Sequence, residues 1–149
     1  MNPMTPPAPA APTPFATLHA RDALQVQAPD GSSVQVLLSL ADGSMATFTL
    51  QPGQVSAAVT HRTVEELWYV MSGRGQMWRR DAARESITEL LPGLCLSVPL
   101  DTAFQFRCHG DVPLVAVAVT MPPWPGADEA EAADGRWAAT VPGSSDPAA

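Results

Sequence analysis

Between residues 24 and 120 the apolar positions come in short runs and two-residue alternations, broken every few residues by Gly, Pro or Asp. That period belongs to strands, whose successive side chains face opposite sides. Ser33 to Leu40 and Ser44 to Leu50 flank Ala41-Asp42-Gly43, and Asp-Gly accepts the positive backbone dihedrals of a tight hairpin turn. Asp30-Gly31 supplies a similar turn just before them. Glu66 to Met71 and Gln76 to Arg80 flank Ser72-Gly73-Arg74-Gly75, a second hairpin. Ser86 to Leu90, Leu94 to Val98, Ala103 to Cys108 and Leu114 to Thr120 complete the series, with turn residues at each interval. Asp81 to Glu85 fits either a helical turn or a charged loop between strands, and the loop is the simpler expectation. Short strands at this spacing, without a persuasive helix, predict an all-β protein, an antiparallel sandwich or barrel.

Composition sets the limits of that domain. Six of the 16 prolines fall in residues 1–14, among alanines and threonines that have little to bury, so a disordered arm is expected there. The barrel is expected over residues 15–126, followed by an acidic extension and loose tail over 127–149. The net charge is −7. Residues 15–120 carry ten acids against seven arginines, and five acids with only Arg136 follow Met121. Asp128, Glu129, Glu131 and Asp134 are expected to form a solvated linker or short surface helix. Without a basic patch, nucleic acid is excluded as a partner. The chain contains no lysine, which excludes a Schiff-base lysine and a phosphate-loop lysine. Cys95 and Cys108 are expected as two reduced, buried thiols. No apolar run approaches the roughly 18 residues of a membrane span, and the N-terminus has no signal-peptide pattern, so a cytoplasmic location with no membrane partner is expected. The hydrolase, dinucleotide and zinc-protease motifs are all missing.

One segment carries candidate chemistry. Gly53 lies six positions before Val59, His61 lies five before Glu66, and Glu66 lies seven before Gly73. This spacing resembles the first motif of the cupin superfamily, a glycine, five residues, H-x-H, three or four residues, a glutamate, six residues and a glycine. Pro92 to Phe104 is similar to the second cupin motif, and Met121-Pro122-Pro123-Trp124-Pro125-Gly126 looks like the end of a small single-domain cupin. The resemblance implies a jelly-roll β-barrel, often paired as a homodimer through an outer sheet. It also implies a divalent metal held by side chains at positions 59, 61, 66 and 104. In this chain Val59 and Phe104 stand where two of the histidines belong, leaving His61 and Glu66 as an incomplete metal-ligand pair. A catalytic metal normally has at least three protein ligands, so no firmly bound cofactor is expected.

Strand parity aims several side chains into the same interior. Positions 59 and 61 share a face, and Trp68 and Val70 share the face of Glu66. Glu65, Arg62 and Gln105 have the opposite parity and should point away from the barrel, while His109 falls in a turn at a strand end. Arg79 and Arg80 read as a solvated strand end, with a carboxylate-binding rim as the alternative. Trp124, among prolines, should anchor the C-terminal segment on the barrel. Three functional readings follow. A small organic ligand could bind in an apolar pocket formed by His61, Glu66, Trp68 and Phe104, with the two polar groups as anchors. A metal-dependent dioxygenase, isomerase or decarboxylase could use His61 and Glu66. The barrel could also be a noncatalytic structural module filled by its own side chains. In an enzyme without metal, His61 and Glu66 are the acid–base pair.

Overall fold

The structure, a computed structural model, describes residues 3–7 and 13–143. Eleven strands form two antiparallel sheets. In chain order they are β1 (Leu24–Gln27), β2 (Ser33–Leu40), β3 (Gly43–Leu50), β4 (Val59–His61), β5 (Glu65–Ser72), β6 (Arg74–Arg80), β7 (Glu85–Leu90), β8 (Cys95–Val98), β9 (Ala103–His109), β10 (Leu114–Met121) and β11 (Ala130–Ala132). One sheet runs β1-β2-β3-β10-β5-β8 and the other β11-β4-β9-β6-β7. The hairpins at residues 41–43 and 72–75 lie where the turn residues put them, and Asp81 to Arg84 is a loop. Gly73 takes φ +81°, which L side chains rarely adopt. Of the proline-rich arm, residues 3–7 and 13–14 carry no helix or strand, and the rest lies outside the described residues.

Alternation explains the core. On β5, Glu66, Trp68 and Val70 are buried while Glu65, Leu67, Tyr69 and Met71 are exposed. The large ring of Trp68 is matched by small neighbours: Ala118 on β10 lies directly opposite it, and Ala116 lies opposite Val70. Phe104, Phe106 and Cys108 face the same core from β9. The other face of β9 is buried too, because the C-terminal segment covers it. Gln105 points away from the barrel as its parity demands. It is nevertheless sealed from solvent: its amide donates to the carbonyls of Ser56 and Trp137, and its oxygen accepts from the backbone N–H groups of Arg136 and Trp137. Trp78, on the matching face of β6, packs with Ala58, Ala103, Ala133 and Trp137.

Three local expectations change. Cys95 is exposed, because it lies on the outer face of edge strand β8; Cys108 is buried, and both thiols are free. Residues 138–143, expected as part of a loose tail, are docked: the N–H groups of Thr140 and Val141 donate to the Val55 carbonyl, and Val141 joins the main core. Residues 144–149 lie outside the described residues. The acidic stretch is not wholly solvated either. A 3-10 turn at Ala127–Glu129 leads into β11, which pairs with β4, and Glu129 is buried. Burial follows from hydrogen-bond demand elsewhere in the fold, as the site shows.

Candidate functional site

His61 ends β4 in one sheet and Glu66 lies near the start of β5 in the other, so residues 62–64 must cross between sheets. A crossing strand loses its ladder partners, and its buried N–H groups need acceptors. Glu129 provides them. Its carboxylate accepts from the Thr63 N–H, the Thr63 hydroxyl (2.8 Å) and the Val64 N–H (2.8 Å), while its backbone carbonyl accepts from the Arg62 N–H (2.9 Å). Burial opposes ionisation of this carboxyl, yet the bonds from Thr63 and Val64, with His61 nearby, hold it below the usual glutamate range. The sequence alone places Glu129 in a solvated linker or short surface helix. A contact spanning 65 residues leaves no local pattern from which to infer it.

The crossing brings together the residues that parity selected. His61 Nδ1 lies 3.5 Å from Glu66 Oε1, and both side chains are almost completely buried. Trp68 Nε1 donates to Glu66 Oε2. Phe104 sits edge-on to His61, with ring centroids 5.2 Å apart, and Val59 lies opposite Phe104 in the ladder. Trp68 stacks on Phe48 at 5.0 Å. His61, Glu66, Trp68 and Phe104 all line one cavity of about 190 Å³. Sequence reasoning missed three further lining groups. Asp30, buried in the turn before β2, has Oδ1 bonded by the Ser32 N–H and hydroxyl. Phe48 comes from β3. Trp124 anchors its segment, since its backbone N–H donates to Ser44 Oγ (2.9 Å), but its ring also forms part of the cavity wall 5.0 Å from His61, with the indole Nε1 buried and unpaired among the described residues.

Burial sets the charge state of the pair. It pushes Glu66 up to about 8, with the Trp68 bond opposing and Asp30 adding to the rise. Burial pushes His61 down to about 4, with Glu129 opposing. At neutral pH the two are therefore an uncharged carboxylic acid beside an uncharged imidazole, not an ion pair. Asp30 is raised by burial as well. His61 Nδ1 is buried with no hydrogen-bond partner among the described residues. Glu66 can give a proton from Oε1, since Oε2 is taken by Trp68, and the imidazole can receive one.

A pH-dependent stability follows. Glu66 keeps its proton in the folded protein up to about 8, whereas the unfolded chain releases it near 4.5. Its contribution is therefore lost as pH rises through that range. His61 stays neutral down to about 4, whereas the unfolded chain takes up a proton near 6.5, so its contribution is lost as pH falls. The two effects oppose each other between 4.5 and 6.5, and above 6.5 the Glu66 effect stands without that opposition. Urea unfolding should show stability declining from pH 6.5 to 8, by up to about 1.4 kcal/mol per pH unit. Glu66→Gln should remove most of that decline; an unchanged slope would place the titration elsewhere.

The donor set does not fit a divalent metal ion. Val59 and Phe104 put hydrocarbon at two of the four converging positions, and among the described residues no three His, Cys, Asp or Glu side chains are placed to hold one metal ion together. Cys108 and His109 do not line the cavity, and His109 is exposed at the strand end. Glu65 is exposed, and Arg62 is exposed and pairs with Glu131 at 2.8 Å. Arg80 ends its strand in solvent, while Arg79 donates to the Ser97 carbonyl and the Thr88 hydroxyl.

Two antiparallel sheets closed around a small apolar cavity, with an imidazole and a carboxyl inside, define a jelly-roll barrel with a central pocket. The chain belongs to the cupin family: the model of the Cupin domain matches residues 46–120. No curated protein matches it in sequence. Among solved structures it is similar to the capsular polysaccharide assembling protein CapF from Staphylococcus aureus, at 18% identity and a TM-score of 0.63 over 76% of this chain and 34% of that one. The chain thus spans about a third of the length of CapF. KdgF from Halomonas sp. matches at 13% identity and TM-score 0.61, covering 72% of this chain and 94% of its own. Streptomyces PAC13, solved with uridine, matches at 11% identity and TM-score 0.65, covering 81% and 92%. At these identities the likeness is one of fold. Among the described residues no helix is long and apolar enough to cross a membrane.

Proposed function

We propose that this cupin barrel binds a small organic molecule in its central cavity, without a firmly bound metal, and that His61 and Glu66 anchor it. The observation that carries the reading is the cavity itself: about 190 Å³ beside a buried imidazole nitrogen that has no partner. A barrel serving only as a structural module would be expected to fill that space with side chains. An apolar hole of about 150 Å³ admits benzene, so the volume suits a ligand of about one ring. The structures of CapF with an isopropenyl-tropolone inhibitor and of PAC13 with uridine support the reading, since proteins that contain this fold take up compact molecules. Trp68 and Phe104 supply the apolar contact, the Glu66 Oε1 proton donates, and His61 accepts. The free thiols of Cys95 and Cys108 fit a reducing, cytoplasmic setting. A homodimer would form through the outer face of the six-stranded sheet, where Leu67, Tyr69 and Met71 stand about half exposed.

The test is ligand-observed NMR with a library of one-ring fragments on tag-free protein, alongside metal analysis. Ala46 lines the cavity, so Ala46→Trp should fill it and abolish binding while the far-UV spectrum stays that of a β protein. Metal should be well below one ion per chain. Fragment binding that survives Ala46→Trp, or no binding at all, would contradict the ligand pocket. Stoichiometric metal lost in His61→Ala would favour the metalloenzyme instead.

A further inference from the structure

Aromatic rings and carboxyls dominate the polar and π-bearing groups on the walls of the cavity. Phe48, Trp68, Phe104 and Trp124 surround it, and aromatic faces are the negative ends of ring quadrupoles. The titratable side chains lining it, among the described residues, are Asp30, His61 and Glu66. They reach it from three places: the turn before β2, the end of β4 and the start of β5. Strands β3 and β10 add the hydroxyls of Ser44 and Thr120 and no charge, β9 adds Phe104, and Glu129 stands behind His61 at the crossing. No arginine lines the cavity, and the chain has no lysine. The pocket therefore holds two carboxyls and four aromatic rings, with no side chain of fixed positive charge to complement them. Asp30 Oδ2 and Glu66 Oε1 have no hydrogen-bond donor among the described residues.

We propose that the cavity selects a compact organic cation, an alkylammonium or quaternary ammonium group, enclosed by Trp68, Phe104 and Trp124 and faced by the carboxyl oxygens of Glu66 and Asp30. This rests on the reading of the barrel as a ligand pocket and adds the charge of the ligand to it. Cations are held over aromatic faces by the ring quadrupole, most strongly where water is excluded. A divalent metal would find too few donor atoms, whereas an alkylated ammonium asks for aromatic rings and carboxyl oxygens, which line this wall, and it is held best above about pH 8, where Glu66 gives up its proton. An anion would meet two carboxyls and no counter-charge. The overall net charge of −7 favours the approach of a cation over long range.

Choline and its uncharged carbon isostere, 3,3-dimethylbutan-1-ol, separate charge from shape. Isothermal titration at pH 8.5 should show choline binding at least tenfold tighter than the alcohol, and 3,3-dimethylbutanoate not binding. Trp124→Leu and Glu66→Gln should each weaken choline about tenfold, and by several-fold more than they weaken the alcohol. Ala46→Trp should abolish both. If the alcohol binds in an Ala46→Trp-sensitive way and choline binds no better, the cation preference is wrong and the pocket stands. If neither binds, and no fragment in the library does, the pocket reading falls together with the cation proposal.

Discussion

Replacing Glu129 with alanine should destabilise the protein by about 3–5 kcal/mol and lower its melting temperature by roughly 10 °C or more. The reason is the crossing between sheets. The carboxylate satisfies two backbone N–H groups and one hydroxyl there, and Val64 is completely buried. Removing the acceptor leaves the buried Val64 N–H unpaired, at about 1–3 kcal/mol, and takes two charge-assisted bonds from the part-buried Thr63 donors, at about 1.5–3 kcal/mol each or less where water replaces them. Glu129→Gln keeps one acceptor oxygen and should lose about half as much. The loss should depend on pH: the carboxylate's depressed value means its contribution is present above about 4.5 and lost as pH falls through its folded value. Differential scanning calorimetry of both variants at pH 7 and pH 4 checks this. A shift under 2 °C for Glu129→Ala would mean that the crossing does not depend on it.

Trp68→Ala should cost a similar amount, about 3–5 kcal/mol, and should also abolish ligand binding. Trp68 is buried, stacks on Phe48, and meets Phe104 and Phe106 edge-on. Ala116 and Ala118 behind it are too small to collapse into the space it leaves. Trp68→Phe separates the two roles of this side chain. It keeps most of the packing but removes the N–H that donates to Glu66 Oε2, a bond that lowers the proton affinity of Glu66. The variant should therefore be only modestly destabilised, with Glu66 titrating at higher pH than in the parent. An unmoved titration would show that the indole does not bond the carboxyl.

Much of this architecture was legible in the chain, because the signals behind it are local. The Asp42-Gly43 and Gly73 turns fix hairpins, and period-two alternation fixes which side of β5 is inside. Parity from residue 59 to 61 and from 66 to 68, with the cupin spacing, was enough to bring His61, Glu66, Trp68 and Phe104 to one cavity. What escaped was non-local. Asp30 sits in a turn that looks like any Asp-Gly turn. Glu129 sits among other acids, and only the unmet N–H groups of Thr63 and Val64, far away in sequence, separate it from them. Gln105 has the parity of an outward residue, and nothing local says that residues 136–137 will cover it. Cys95 was expected inside by residue type, but its place on an edge strand leaves it exposed.

The central claim is that Glu66 is an uncharged carboxylic acid, buried against a cavity and without a positive partner. Its side-chain carboxyl carbon, followed by NMR in glutamate-labelled protein and assigned through Glu66→Gln, reports this directly. The account predicts a titration midpoint near 8, moving when a ligand fills the cavity. A midpoint near 4.5, in the ordinary carboxylate range, would mean that the group meets water or a bound cation, and would contradict it.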